Sequence, residues 1–152
     1  MWLTRARLLV ATIWAGSLWT VGFLVVPTLF HTLSDQVLVG TIAASLFDAQ
    51  AWVGMACALA MLVLAGKGGH APRPRRTLLL IVLAMLACTL VVHFGLQPMM
   101  AQLRAAAGPG GVMESALRAR FGMLHGISMS IYLIQSLLAV WLLFKQSAIA
   151  QP

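Results

Sequence analysis

The run TLLLIVLAMLACTLVVHFGLQ, residues 77–97, decides the fold. It contains no Asp, Glu, Lys or Arg, and an apolar stretch of about 18 or more residues is the mark of a membrane-spanning helix. Arg75 and Arg76 precede it and Pro98 follows. Proline has no N–H to continue a helical ladder, so the helix is expected to stop there.

Three more such runs lie to either side, about 8–30, 37–65 and 121–144. Pro27 stands near the end of the first. In the second, 49–65 is the clearest membrane part, and Val37 to Phe47 is expected to project or bend at the interface. The connector GKGGHAPRPRR, 66–76, has too many glycines and prolines for a helix and too many charges for burial. The segment AAAGPGGVMES, 105–115, is read as a second loop. The expected fold is all-α: one domain over 1–152, an integral membrane four-helix bundle.

Composition agrees. Hydrophobic residues make up 61% and charged residues 9% of the chain, where a soluble domain carries about 25% charged residues. The net charge of +7 raises nucleic-acid binding. That class is set aside because the basic residues flank apolar helices and form no basic domain. Arg5, Arg7, Lys67, Arg73, Arg75, Arg76 and Lys145 fall on one side of the bilayer, against Arg104, Arg118 and Arg120 on the other. The positive-inside rule then places both termini in the cytoplasm and the chain in a bacterial inner membrane. The first run is too long for a signal-peptide core, so it is expected to be an uncleaved span. Cys57 and Cys88 sit within apolar runs and read as small buried hydrophobes.

A repeat is legible: Phe23-Leu-Val-Val-Pro27 matches Phe94-Gly-Leu-Gln-Pro98. Either two helix pairs are related by an axis along the membrane normal, or two apolar helices share a proline ending by chance.

Depth organises the polar residues. A helix rises about 1.5 Å per residue and the hydrocarbon core is about 30 Å thick. Counting about twenty residues from each cytoplasmic end brings His31, Asp48, His93 and His125 to one layer, the outer mouth, while His70 lies in the connector. Thr89, His93 and Gln97 repeat every four residues, as on one helical face. His125, Ser128, Met129, Tyr132 and Ser136 follow a similar spacing, as do Ser45, Asp48, Trp52 and Met55. Polar groups within a membrane face the bundle interior and are functional candidates.

Two chemistries suit this layer. His93 and His125 could be the axial ligands of a b-type haem, with Gln97 or Tyr132 hydrogen-bonding nearby. Arg104, Arg118 and Arg120 could pair with its propionates. Alternatively His31, Asp48, His93 and His125 could hold copper or another transition metal, with methionines 99, 100, 113 and 123 close in sequence. The plainer readings stand beside these: histidines that join helices, methionines that fill gaps and arginines that meet lipid headgroups. In that case there is no cofactor. Gly122, Gly126 and Ser130 have the small-residue spacing of close helix contact. There is no GxSxG, HExxH, CxxC or phosphate-binding loop, so an enzyme of soluble type is not expected.

These segments resemble a known family. Trp14-Ala-Gly16, Pro27-Thr-Leu-Phe30, His93-Phe-Gly-Leu-Gln-Pro98 and Leu124-His125-Gly126-Ile-Ser128 look like the small bacterial four-helix family related to human transmembrane protein 205. The likeness covers nearly the whole chain, and HFGLQP and LHGIS are its most specific parts. The family has no settled activity. More distantly, Trp14-Ala-Gly16 with Pro27-Thr-Leu-Phe-His31 is similar to the haem-binding membrane protoporphyrinogen oxidases and the copper-resistance D-type proteins. In the oxidases an arginine follows the proline, which this chain lacks. The resemblance implies a haem or metal ligand at the outer mouth. The expected function is therefore binding of haem b or a transition metal near the outer face. The alternatives are a non-catalytic scaffold, with a membrane-protein partner or a second copy, and transport of a metal or small cation.

Overall fold

The computed structural model describes residues 2–66 and 73–150, with side chains over 2–66 and 76–147. Lys67 and His70, and the side chains of Arg73 and Arg75, lie outside the described set. Four long helices account for nearly all of it: α1 Trp2–Thr32, α2 Gln36–Gly66, α3 from Arg73 to Ala106 and α4 Arg118–Ala150. All four are long and apolar enough to cross a membrane. α2 is one unbroken α-helix from Gln36 to Gly66, so Val37–Phe47 is continuous with the membrane part.

α1 packs on α2 and α4, and α3 packs on the same two. The helices thus follow chain order round the bundle, each antiparallel to its neighbours. The turn between α1 and α2 and the longer link between α3 and α4 lie together at the hairpin end. Asp35 starts α2: its Oδ1 accepts the backbone N–H groups of Val37 and Leu38, each at 3.0 Å. A carboxylate there satisfies two orphan donors and complements the helix dipole. Asp35→Ala should therefore cost about 1 kcal/mol in thermal unfolding of the detergent-solubilised protein.

Ala11, Trp14 and Leu18 of α1 meet Ala58 and Met61 of α2, Val82 and Met85 of α3, and Ala139 and Leu142 of α4 in one buried cluster. In lipid, apolar burial drives little helix association, so fit and hydrogen bonds carry more of the load. Two interior glutamines supply such bonds. Gln50 donates to Ser17 Oγ at 3.3 Å, joining α2 to α1, and Gln135 donates to Thr89 Oγ1 at 2.9 Å, joining α4 to α3.

The prolines behave differently from the sequence expectation. Pro98 does not stop α3, which continues over Gln97–Ala106. The turn before it, Val91–Leu96, is π-helical, as is Thr20–Val25 before Pro27. A proline lacks an N–H and crowds the carbonyl four residues back. A wider π turn relieves that crowding and lets the helix go on. Aligning Pro27 with Pro98 superposes the two π segments in sequence. It also brings the buried Ala11, Trp14 and Leu18 onto the buried Val82, Met85 and Thr89. The likeness between α1 and α3 thus extends through the core-facing stripe of both helices.

A helix also occupies part of the expected connector: α3 begins at Arg73, with Pro74 in its first turn, where a proline is tolerated. Gly122, Gly126 and Ser130 are exposed, and a Cβ on either glycine would meet nothing within 4 Å. That stripe faces outward and packs no helix of this bundle.

Candidate functional site

At the hairpin end the helices line a partly open cavity of about 580 Å³. Small-molecule sites commonly occupy about 300–1,000 Å³. Each element has a local reason to contribute. The π turns re-aim the ends of α1 and α3. The short turn at Asp35 brings the start of α2 alongside. The link after α3 closes one side through Gly108, Gly110 and Gly111. Gly108 and Gly111 have φ of 76° and 78°, which residues with side chains rarely adopt. Gly111 also presses on α2, where an added Cβ would lie 2.8 Å from Val37.

The walls are mainly apolar, with Phe47, Phe121 and Met129 among them, and seven polar side chains also line the cavity: Gln36, Thr41, Gln97, Arg104, His125, Ser128 and Tyr132. Arg104 lies over the Phe121 ring, its guanidinium 5.9 Å from the centroid, a cation–π placement. His125 is stacked parallel to the same ring at 6.0 Å. The Ser128 hydroxyl is buried and has no hydrogen-bond partner among the described residues.

Tyr132 forms the floor. Its hydroxyl donates to the Leu18 carbonyl. The phenol is wedged against Gly22, beside the start of the π segment of α1. Phe23 and Phe47 hold the ring edge-on, at centroid distances of 6.3 and 5.5 Å.

His93 is placed elsewhere. It lies in the π segment of α3 and turns towards α2, with Nδ1 3.5 Å from Asp48 Oδ1. That is too long for a good hydrogen bond, so the contact is ionic only when the imidazole is protonated. Trp52 and Phe94 flank it edge-on at 5.6 and 4.5 Å. Of the four residues proposed from sequence to hold haem, Gln97, His125 and Tyr132 share the cavity and His93 is not among its walls. Of the four proposed metal ligands, Asp48 pairs with His93, His125 stands in the cavity and His31 is exposed. Among the described residues, no group of three or more His, Cys, Asp or Glu side chains is close enough to hold a metal. Cys57 and Cys88 are free thiols, the first buried and the second half-buried.

Sequence reasoning passed over Gln50 and Gln135, although an uncharged polar residue deep in an apolar run is a signal of an interhelical bond. Arg104, read from sequence as either a propionate partner near the mouth or an interfacial residue, is brought into the cavity wall by the continuation of α3 past Pro98.

The fold and cavity define a multi-pass membrane protein with a ligand-sized, largely apolar chamber at one end of a four-helix bundle. The chain belongs to the DUF4149 family, described as a domain of unknown function, whose model matches residues 9–109. The matched stretch covers α1, α2 and α3, and the cavity residues of α4 fall beyond it. No curated protein and no solved structure matches the chain.

Proposed function

We propose that this protein binds a small amphipathic molecule in the hairpin-end cavity and acts as a binding protein without catalysis. The observation that carries the reading is a chamber of about 580 Å³ with mainly apolar walls and a minority of polar side chains, Arg104, His125 and Ser128 among them. The excess of Lys and Arg towards the terminal end supports an inner-membrane protein with this chamber on the outer face.

Haem b is the cofactor that fits this class, in a narrower form than two histidines suggest. His125 is the imidazole in the walls, and Arg104 could take a propionate. His93, set against Asp48 and Trp52, is not available as a second axial ligand without rearrangement. His125 would therefore be the residue that holds a haem here, with Arg104 beside it.

Two probes test the reading in mild detergent: hemin, followed by its Soret band, and a polyene fatty acid, followed by energy transfer from the protein tryptophans. At least one should bind saturably, and Ala44→Trp, which fills the chamber from α2, should abolish binding. If hemin is the one that binds, His125→Ala should lose the Soret shift while His93→Ala keeps it. Failure of both probes to saturate would remove the proposal.

A further inference from the structure

We infer that the ligand of this cavity is an amphipathic anion whose carboxylate or phosphate pairs with Arg104, its apolar body lying along Phe47 and Met129 towards Tyr132. The inference rests on the cavity being a ligand site. It adds the charge of the ligand and the residue that reads it.

The chain has three acids, and each is engaged away from Arg104. Asp35 caps α2, and Asp48 faces His93. Glu114 folds back over its own loop, where a Cβ on Gly110 would lie 2.8 Å from Oε2. None of the three lines the cavity. Arg104 is half-buried, is held over Phe121, and has no ion-pair partner among the described residues. A guanidinium stays charged under all ordinary conditions, and a partly desolvated one favours an anion. Its counter-ion must therefore come from outside the chain.

The neighbouring groups suit an oxyanion. The buried Ser128 hydroxyl lacks a partner and can donate, and Gln97 and His125 offer further N–H groups. Planar, forked guanidinium donors match carboxylate and phosphate geometry. The rest of the wall selects an apolar body, and the flexible thioethers of Met100, Met113 and Met129 adapt to a pliant chain. A small inorganic anion would leave that wall unused.

The same oxyanion could belong to a free amphiphile or to the headgroup of a bilayer lipid. The test uses three probes with one fluorescent chain: cis-parinaric acid, its methyl ester, and a phosphatidic acid carrying the parinaroyl chain. Wild-type protein in neutral detergent should bind the acid about ten- to a hundredfold more tightly than the ester, the range of a charge-assisted hydrogen bond. Arg104→Gln should erase that preference, and Arg104→Lys should keep part of it. A preference for both acid and phosphatidic acid over the ester points to a lipid source. A preference for the free acid alone points to a soluble amphiphile. Equal binding of acid and ester to the wild type would overturn the inference while sparing the cavity reading, and this comparison needs no variant to fold. If none of the three binds, the inference falls, and the cavity reading falls with it unless hemin saturates.

Discussion

Alanine at position 22 is expected to destabilise the bundle by about 2–3 kcal/mol, although glycine-to-alanine changes inside helices usually stabilise by up to about 1 kcal/mol. The sign reverses because of Tyr132. A Cβ on Gly22 would lie 2.6 Å from the Tyr132 hydroxyl and 2.7 Å from the ring carbon that bears it. The ring has little room to yield, since Phe23 and Phe47 hold it edge-on and its hydroxyl is tied to α1. Either the methyl group overpacks the contact or the phenol is expelled and its hydrogen bond lost, and each outcome costs about 1–3 kcal/mol. Thermal unfolding in detergent reads the loss. The decisive comparison is a double-mutant cycle. In a Tyr132→Ala background, Gly22→Ala should be neutral or mildly stabilising, because the obstacle has gone and only helix propensity remains. Tyr132→Phe keeps the ring and should keep most of the penalty. Equal costs for Gly22→Ala in the wild-type and Tyr132→Ala backgrounds would refute the wedge. The consequence reaches the site, because Tyr132 is the cavity floor.

This wedge also shows where reading the sequence reached its limit. The four spans were legible because each is an apolar run of membrane length, and hydropathy needs no tertiary information. Helical faces were harder. Thr89, His93 and Gln97 share a face only if the turn between them is α-helical. In the structure Thr89 bonds Gln135 inside the bundle, His93 turns to Asp48 on α2, and Gln97 opens into the cavity. The π segment Val91–Leu96 lies between them, and in a wider turn a four-residue step falls short of a full rotation. The same segment explains why Pro98 failed as a stop signal and why Arg104, just beyond the expected end, became a wall residue. Placing polar groups by depth was sounder than placing them by face, since helical rise changes little through one π turn. It brought Asp48 and His93 to one level, and they are in contact. Depth alone did not separate that pair from His125, because rotation about the helix axis decides which neighbour a side chain meets.

The second large effect is expected at Trp14, where two substitutions should part company. Trp14 is fully buried among all four helices, yet its indole N–H has no acceptor among the described residues. Trp14→Ala removes the largest side chain of the core and should cost about 3–5 kcal/mol. Because the surroundings are lipid rather than water, most of that loss is dispersion contact with neighbouring helices and little is transfer free energy. Trp14→Phe should cost far less, about 1 kcal/mol, because it keeps an aromatic ring in place and removes a donor that was buried unpaired, itself a destabilising feature. Gly54 supplies an internal control. A Cβ there would lie 3.1 Å from the Trp14 indole nitrogen and 3.6 Å from Thr89 Oγ1, so only the first contact is tight. Gly54→Ala should therefore destabilise the wild type by about 1–2 kcal/mol through overpacking, and much less in the Trp14→Phe background, where the crowding nitrogen is absent. If Trp14→Phe proved as costly as Trp14→Ala, the indole N–H would be bonded after all, through a buried water near Thr89 and Gln135, and the middle of the bundle would be wetter than its side-chain contacts imply.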